Sequence, residues 1–132
     1  MKLIVSISLL LLIFNQIQAS KDFESAHKYF LETIKLANAG EMYKVRARFL
    51  DSFTLKHPRG EYSLNEFIKM LQKENAEQFG EPLPRRNDEN RGQNVVVLRY
   101  RFEGGSEVGL ELEVIIDHEK NDHKFSSAMM FE

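Results

Sequence analysis

The segment Val95-Val96-Val97-Leu98-Arg99-Tyr100-Arg101-Phe102-Glu103-Gly104-Gly105-Ser106-Glu107-Val108-Gly109-Leu110-Glu111-Leu112-Glu113-Val114-Ile115-Ile116 decides the fold. Val96, Leu98, Tyr100 and Phe102 alternate with Val97, Arg99 and Arg101, and beyond the glycines Val108, Leu110, Leu112, Val114 and Ile116 alternate again. A period of two belongs to strands with one apolar face. A slip of one residue would set apolar side chains opposite charged ones, so the pairing is predicted to match Phe102 with Val108, Tyr100 with Leu110, Leu98 with Leu112 and Val96 with Val114, around a loop at 104 to 106. The same register puts Arg99 opposite Glu111 on the outer face, with Arg101 diagonal to it, a structural use for these arginines. Val95 opposite Ile115, with Val97 beside them, leaves a small apolar patch on that face, where a homodimer contact would form.

Towards the C-terminus, His118-Glu119-Lys120-Asn121-Asp122-His123 follows Asp117 and reads as a hairpin loop. Two histidines among carboxylates resemble a metal site, but no helical His-x-x-x-His spacing supports one, and none is expected. The last strand, Phe125 to Phe131, is predicted to bring Phe125, Met129 and Phe131 to the core.

Towards the N-terminus, residues 75 to 94 carry Gly80, Pro82, Pro84 and the mixed run Arg85 to Gly92. An irregular strand near Phe79 to Arg86 and then a solvated loop are expected, because Asp88 and Glu89 cancel most of the basic field. Ser63-Leu64-Asn65-Glu66 fits a capping box, with Tyr62 and Phe67 as the hydrophobic staple. Leu64, Phe67, Ile68 and Leu71 then set one face of a helix running to about Glu74. Phe53 and Leu55 alternate with polar neighbours as a short strand that stops at the turn His57-Pro58-Arg59-Gly60. A short helix through Met42, Val45 and Phe49 precedes it, with Lys44, Arg46 and Arg48 mostly facing solvent. Phe23, Ala26, Phe30, Ile34 and Ala37 form the stripe of a longer helix capped by Asp22 and ended by Gly40. His27 and Tyr29 flank this stripe and read as boundary residues.

Before that helix, Met1-Lys2 leads into an apolar run from Leu3 to Phe14 and a polar stretch ending at Ala19. This is the form of a secretory signal peptide cleaved before Ser20, and the run is shorter than the ~20 residues that span a bilayer. Residues 1–19 are therefore expected to be removed and residues 20–132 to form a single secreted, extracellular domain with no membrane attachment. The chain has 18 Lys and Arg against 20 Asp and Glu, and loss of Lys2 leaves a net charge of about −3, which disfavours nucleic acid as a partner. No cysteine is present for the oxidising route, so stability has to come from core burial. No Asn-x-Ser/Thr site is present either.

The element order, a long helix, a shorter one, a short strand, a third helix and then long antiparallel strands, resembles the NTF2-like superfamily. Phe49-Leu50-Asp51-Ser52-Phe53-Thr54-Leu55, followed by Gly60-Glu61-Tyr62-Ser63 and Glu66-Phe67-Ile68, is similar to the small secreted NTF2-like domain proteins of nematodes. The resemblance spans about residues 22 to 131. It implies an α+β cone, a curved antiparallel sheet wrapped around about three helices, with a cavity open at one end. Some members use that cavity for isomerase, dehydratase or epoxide-hydrolase chemistry, and others bind, transport or dimerise.

Catalytic members need an acid or base inside the cavity. Here the deduced inner face offers apolar residues and Tyr100, with no acid or base, so no catalytic position carries over. Asp51, His57 and Glu61, flanking the short strand, are the remaining general-base candidates, and each also reads as a turn residue. Phe30, Ile34, Phe53, Tyr100, Leu112 and Met129 are the expected cavity lining. The leading expectation is non-catalytic binding of a small apolar ligand or a protein partner, without a cofactor. An isomerase or dehydratase is the alternative. A cystatin-like protease inhibitor is a third, since Gln93-Asn94-Val95-Val96-Val97 is similar to a Gln-x-Val-x-Gly loop but departs from it at Val97.

Overall fold

The computed structural model describes residues 2–83, 94–101 and 109–131. Helix α1 runs Lys2–Asn38, α2 Met42–Arg46 and α3 Leu64–Gln72, with a 3-10 turn at Ala76–Gln78. The strands are β1 Leu55–His57, β2 Gly60–Tyr62, β3 Val95–Arg101, β4 Gly109–Asp117 and β5 Asp122–Phe131. They form one curved sheet in the order β2-β1-β5-β4-β3. All neighbours are antiparallel except β1, which lies parallel to β5 with Leu55 beside Ala128. The chain is an α+β fold in which three helices cover one face of a five-stranded sheet.

Strands β3 and β4 adopt the register set by alternation: Tyr100 faces Leu110, Leu98 faces Leu112, Val96 faces Val114 and Val95 faces Ile115. Phe102, Val108 and the loop at 104 to 106 lie outside the described residues. On the outer face the Arg99 Nε stands 3.4 Å from the Glu111 carboxylate, as the register requires. Val97 on that face is buried, and Val95 and Ile115 are half-buried.

The expectation for the last strand needs correction. Phe125 is fully buried, but Met129 is 40% exposed and Phe131 is half-buried, while Ala128 and Met130 face the core. The cause is a bulge: Glu113 pairs with Ser127 and Val114 with Phe125, so Ser126 is an extra residue on β5. One added residue inverts the in-out alternation beyond it.

Helix α1 also differs from expectation. No glycine or proline interrupts residues 2 to 38, so the helix does not begin at Asp22 but continues back to Lys2. Asp22 therefore caps nothing and is a buried side chain within the helix. The C-terminal end is as predicted. Gly40 has φ +76, Glu41 N–H donates to Leu36 O at 3.1 Å and Gly40 N–H to Ala37 O at 3.1 Å, the paired bonds of a Schellman motif. Helix α2 stops at Arg46, short of Phe49. Helix α3 begins at the expected cap, with Ser63 Oγ accepting from Glu66 N–H at 3.3 Å, and ends at Gln72 rather than Glu74. Of the irregular segment, Phe79 is buried and Leu83 N–H donates to Arg99 O at 2.8 Å, so the chain runs along the free edge of β3. Residues 84 to 93 lie outside the described residues.

Aromatic rings fill the interior between helices and sheet. Phe30 of α1 packs against Phe79 and Tyr100, each with centroids 5.1 Å away, and against Phe125 at 6.2 Å. Phe125 in turn meets Phe49 at 4.9 Å, and Phe49 meets Phe53 at 4.8 Å and Phe67 at 5.9 Å. Edge-on and offset pairs of this kind add roughly 0.5 to 1.5 kcal/mol each beyond area burial, which suits a chain without disulfides.

Candidate functional site

The predicted lining residues Phe30, Ile34, Phe53, Tyr100 and Leu112 come together, each 3% exposed or less. They are members of one packed core cluster. Met129 is separated from them by the bulge and lies on the outer face beside Lys56, Glu111 and Glu113, in a hollow of about 210 Å³. Asp51, His57 and Glu61 do not converge. Asp51 is exposed in the turn before β1. His57 Nδ1 accepts from Arg59 N–H at 3.1 Å and its ring meets Tyr62 edge-on, so it shapes the β1–β2 turn. Glu61 is exposed on β2 opposite Lys56.

Polar groups cluster instead where α1 meets the β4–β5 hairpin. His118 Nε2 lies 3.0 Å from each Asp22 carboxylate oxygen, and its Nδ1 lies 3.2 Å from Asn94 Oδ1. One turn on, Ser25 Oγ is 2.6 Å from His123 Nε2, and Tyr29 Oη donates to His123 O at 2.7 Å while its ring stacks on the imidazole at 5.0 Å. Burial lowers the pKa of His123 against smaller opposing pulls from Asp122 and Asp22. Hydroxyl and imidazole are close enough for a nucleophile and its base. Yet Asp22 is engaged by His118 rather than by His123, and the N–H groups of Ser25 and Ala26 are tied into the helix whether it begins at Lys2 or at Ser20. The arrangement holds the hairpin to the helix. Among the described residues no group of three or more His, Asp and Glu side chains converges as a metal site would need.

A further half-buried polar contact joins His27 Nδ1 and Tyr100 Oη at 2.8 Å. Tyr100 is 2% exposed, and burial pushes its ionisation above the ordinary phenol range, so the hydroxyl stays neutral and is already engaged.

A third constellation surrounds Arg48, which the sequence reading placed in solvent. The residues after α2 turn back over α1, and the Arg48 guanidinium carbon sits 4.4 Å from the centre of the Tyr29 ring. Its Nη1 donates to Tyr29 O and Thr33 Oγ1, both at 3.2 Å, and its Nη2 lies 3.8 Å from Glu32 Oε2. Burial, partly offset by Arg48, pushes the Tyr29 phenol up to about 12. Two surface hollows meet here. One of about 400 Å³ involves Glu32, Lys35, Leu36, Glu41 and Arg48. The other, about 610 Å³, involves Tyr29, Leu36, Lys44, Ala47, Arg48, Asp122 and Lys124.

Sequence reasoning missed the partners of His118, His123 and Arg48. A signal for the histidines existed: Asp22, Ser25 and Tyr29 recur at spacings of three and four, a polar stripe beside the apolar one on the same helix. Nothing local to Arg48 marks it, because its fold-back depends on where α2 ends.

No protein-family model matches the chain, and no curated protein matches it. Among solved structures it is similar to an NTF2-like protein of unknown function from Cytophaga hutchinsonii, with 17% identity and a TM-score of 0.43 over 77% of this chain and 84% of that one.

Proposed function

We propose that this chain is a secreted, non-catalytic binding domain of NTF2-like type whose ligand is a protein partner, held on the outside of the fold at the groove around Arg48. The carrying observation is the contrast between interior and surface. Among the described residues the predicted lining is occupied by interlocking rings, while hollows of about 400 and 610 Å³ open on the surface and share Leu36 and Arg48. A small apolar ligand finds less support in such an interior, and so does an isomerase or dehydratase, since Tyr100 and His27 already satisfy each other. A cystatin-like loop is disfavoured because Val95, Val96 and Val97 are strand residues paired with β4.

Export is supported by the leader. Ile7, Leu9 to Phe14 and Ile17 are 44% to 67% exposed, whereas burial against the sheet starts at Asp22 and Ala26. No helix among the described residues is long and apolar enough to cross a membrane. An apolar segment with no packing partner suits a leader that is cut away.

The test is photo-cross-linking through a reactive group at Tyr43, which is 89% exposed and next in sequence to Lys44 of the groove, in the native extracellular fluid. A specific adduct that disappears when Lys44 and Lys124 are both changed to Glu, with melting temperature preserved, is expected. Adducts that persist unchanged in the charge-reversed protein would sink the reading.

A further inference from the structure

We infer that Arg48 is a receptor for a carboxylate, and that the partner presents it on an acidic peptide segment; this rests on the binding-domain reading and names the chemistry of its ligand. A guanidinium has five N–H donors in a rigid fork. In Arg48 the Nη1 pair is used on Tyr29 O and Thr33 Oγ1, and the ring of Tyr29 supports the plane from below. Among the described residues the Nε and Nη2 edge makes no hydrogen bond, and the acid paired with it, Glu32, stands at 3.8 Å with its side chain 48% exposed. Side-by-side Nε–H and Nη2–H donors match the two oxygens of a carboxylate. Because the other edge and the face are held, that geometry is formed before a ligand arrives, which lowers the ordering cost of binding.

The basic excess lies on one side of Arg48: the smaller hollow balances Lys35 and Arg48 against Glu32 and Glu41. The larger hollow combines Lys44, Arg48 and Lys124 with a single acid, Asp122, although the whole chain carries a net charge of −2. Lys44 is tied to Glu41 at 3.1 Å, and Lys124 donates to Ala47 O, so both ammonium groups are held at the rim. Tyr29 and Leu36 supply apolar surface on either side. They are seven residues apart on α1, roughly 10 Å along the axis, which an extended peptide of about three residues would cover. The contiguous hollows therefore suit a short segment with an acidic residue at its centre and apolar neighbours. Glu32 is the resident competitor for the same guanidinium edge.

The probe is a fluorescein-labelled acetyl-Leu-Glu-Glu-Leu-amide peptide, titrated with the full chain and followed by polarisation, with the Gln-for-Glu peptide as control. The acidic peptide is expected to bind at least about tenfold more tightly than the control, and less tightly as salt rises. Arg48→Lys keeps charge but loses the fork and should weaken binding about tenfold. Glu32→Gln, at an exposed site that will not disturb folding, should tighten it several-fold. Equal binding of the two peptides, or unchanged affinity in both variants, would overturn the carboxylate assignment while leaving the binding-domain reading intact. Binding of neither peptide at about 1 mM also overturns it, and the cross-linking at Tyr43 then decides the broader reading separately.

Discussion

The Ser126 hydroxyl donates both to the main-chain oxygen of Glu113, at 3.2 Å, and to the Glu113 carboxylate, at 2.9 Å, fastening the extra residue of β5 to the strand it disrupts. This contact stabilises the bulge that puts Phe125 inside on one side of it and Ala128 and Met130 inside on the other. Ser126→Ala should cost about 1 kcal/mol, the net worth of such a bond at a half-buried site. Deleting Ser126 should cost no more than that, because Phe125, Ser127 and Ala128 would then alternate in, out and in opposite Val114, Glu113 and Leu112 with no bulge needed. Urea denaturation of both variants measures this, and a deletion variant far less stable than Ser126→Ala would refute the parity argument.

How legible the molecule was in its sequence follows from the range of the forces involved. The β3–β4 register was readable because each strand carries its own apolar alternation and only one pairing satisfies both. The α3 cap and the Gly40 terminus were readable because capping is a matter of a few consecutive residues. Met129 was misplaced because a bulge inverts parity without changing composition, and Ser126-Ser127 looks the same whether or not one serine is supernumerary. The surface sites were hidden for a related reason: His118 meets Asp22, and Arg48 meets Thr33, only after packing brings distant segments together.

Burial of His123 makes stability depend on acid. Its folded pKa is lowered below the ordinary histidine value of 6.5, so the unfolded chain binds the proton more readily. The contribution is fully present above about pH 6.5 and is lost as pH falls towards the lowered folded value. The urea midpoint of the parent should therefore drop between pH 7.5 and pH 5.5. His123→Gln should lose part of that slope while also being less stable at pH 7.5, since Ser25 loses its imidazole partner. A variant with the parent's full slope would show that His123 is not the group responsible.

Tyr100 and His27 provide a cleaner measure of a buried hydrogen bond. Tyr100→Phe removes the hydroxyl that meets His27 Nδ1 at 2.8 Å without changing ring packing against Phe30 and Phe79. A loss of about 0.5 to 1.5 kcal/mol is expected. In a double-mutant cycle with His27→Ala the coupling should be of similar size, because phenylalanine keeps the ring contact with His27 and only the hydroxyl bond is removed. Additive effects would mean that the bond contributes nothing to stability.

Removal of the leader should leave the domain intact. The side chains from Ile7 to Ile17 are exposed, so this segment adds little to the core, and the bonds lost from the domain include that from Gln18 Nε2 to Asp22 Oδ1, 2.9 Å long, and the helical bonds of its first N–H groups. In the shortened chain Asp22 falls in the first turn of α1, where its carboxylate faces unsatisfied N–H groups and the positive end of the helix dipole, which offsets that loss. His118 remains its partner across the hairpin. The chain of residues 20–132 is therefore expected to melt within a few degrees of the full chain and to stay monodisperse where the full chain self-associates through its apolar leader. Asp22→Asn should then destabilise the short chain more than the long one, because only in the short chain does the carboxylate serve both His118 and the helix end. Thermal melts of the four proteins decide the matter, and an equal effect of Asp22→Asn in both lengths would contradict a capping role for Asp22 in the short chain.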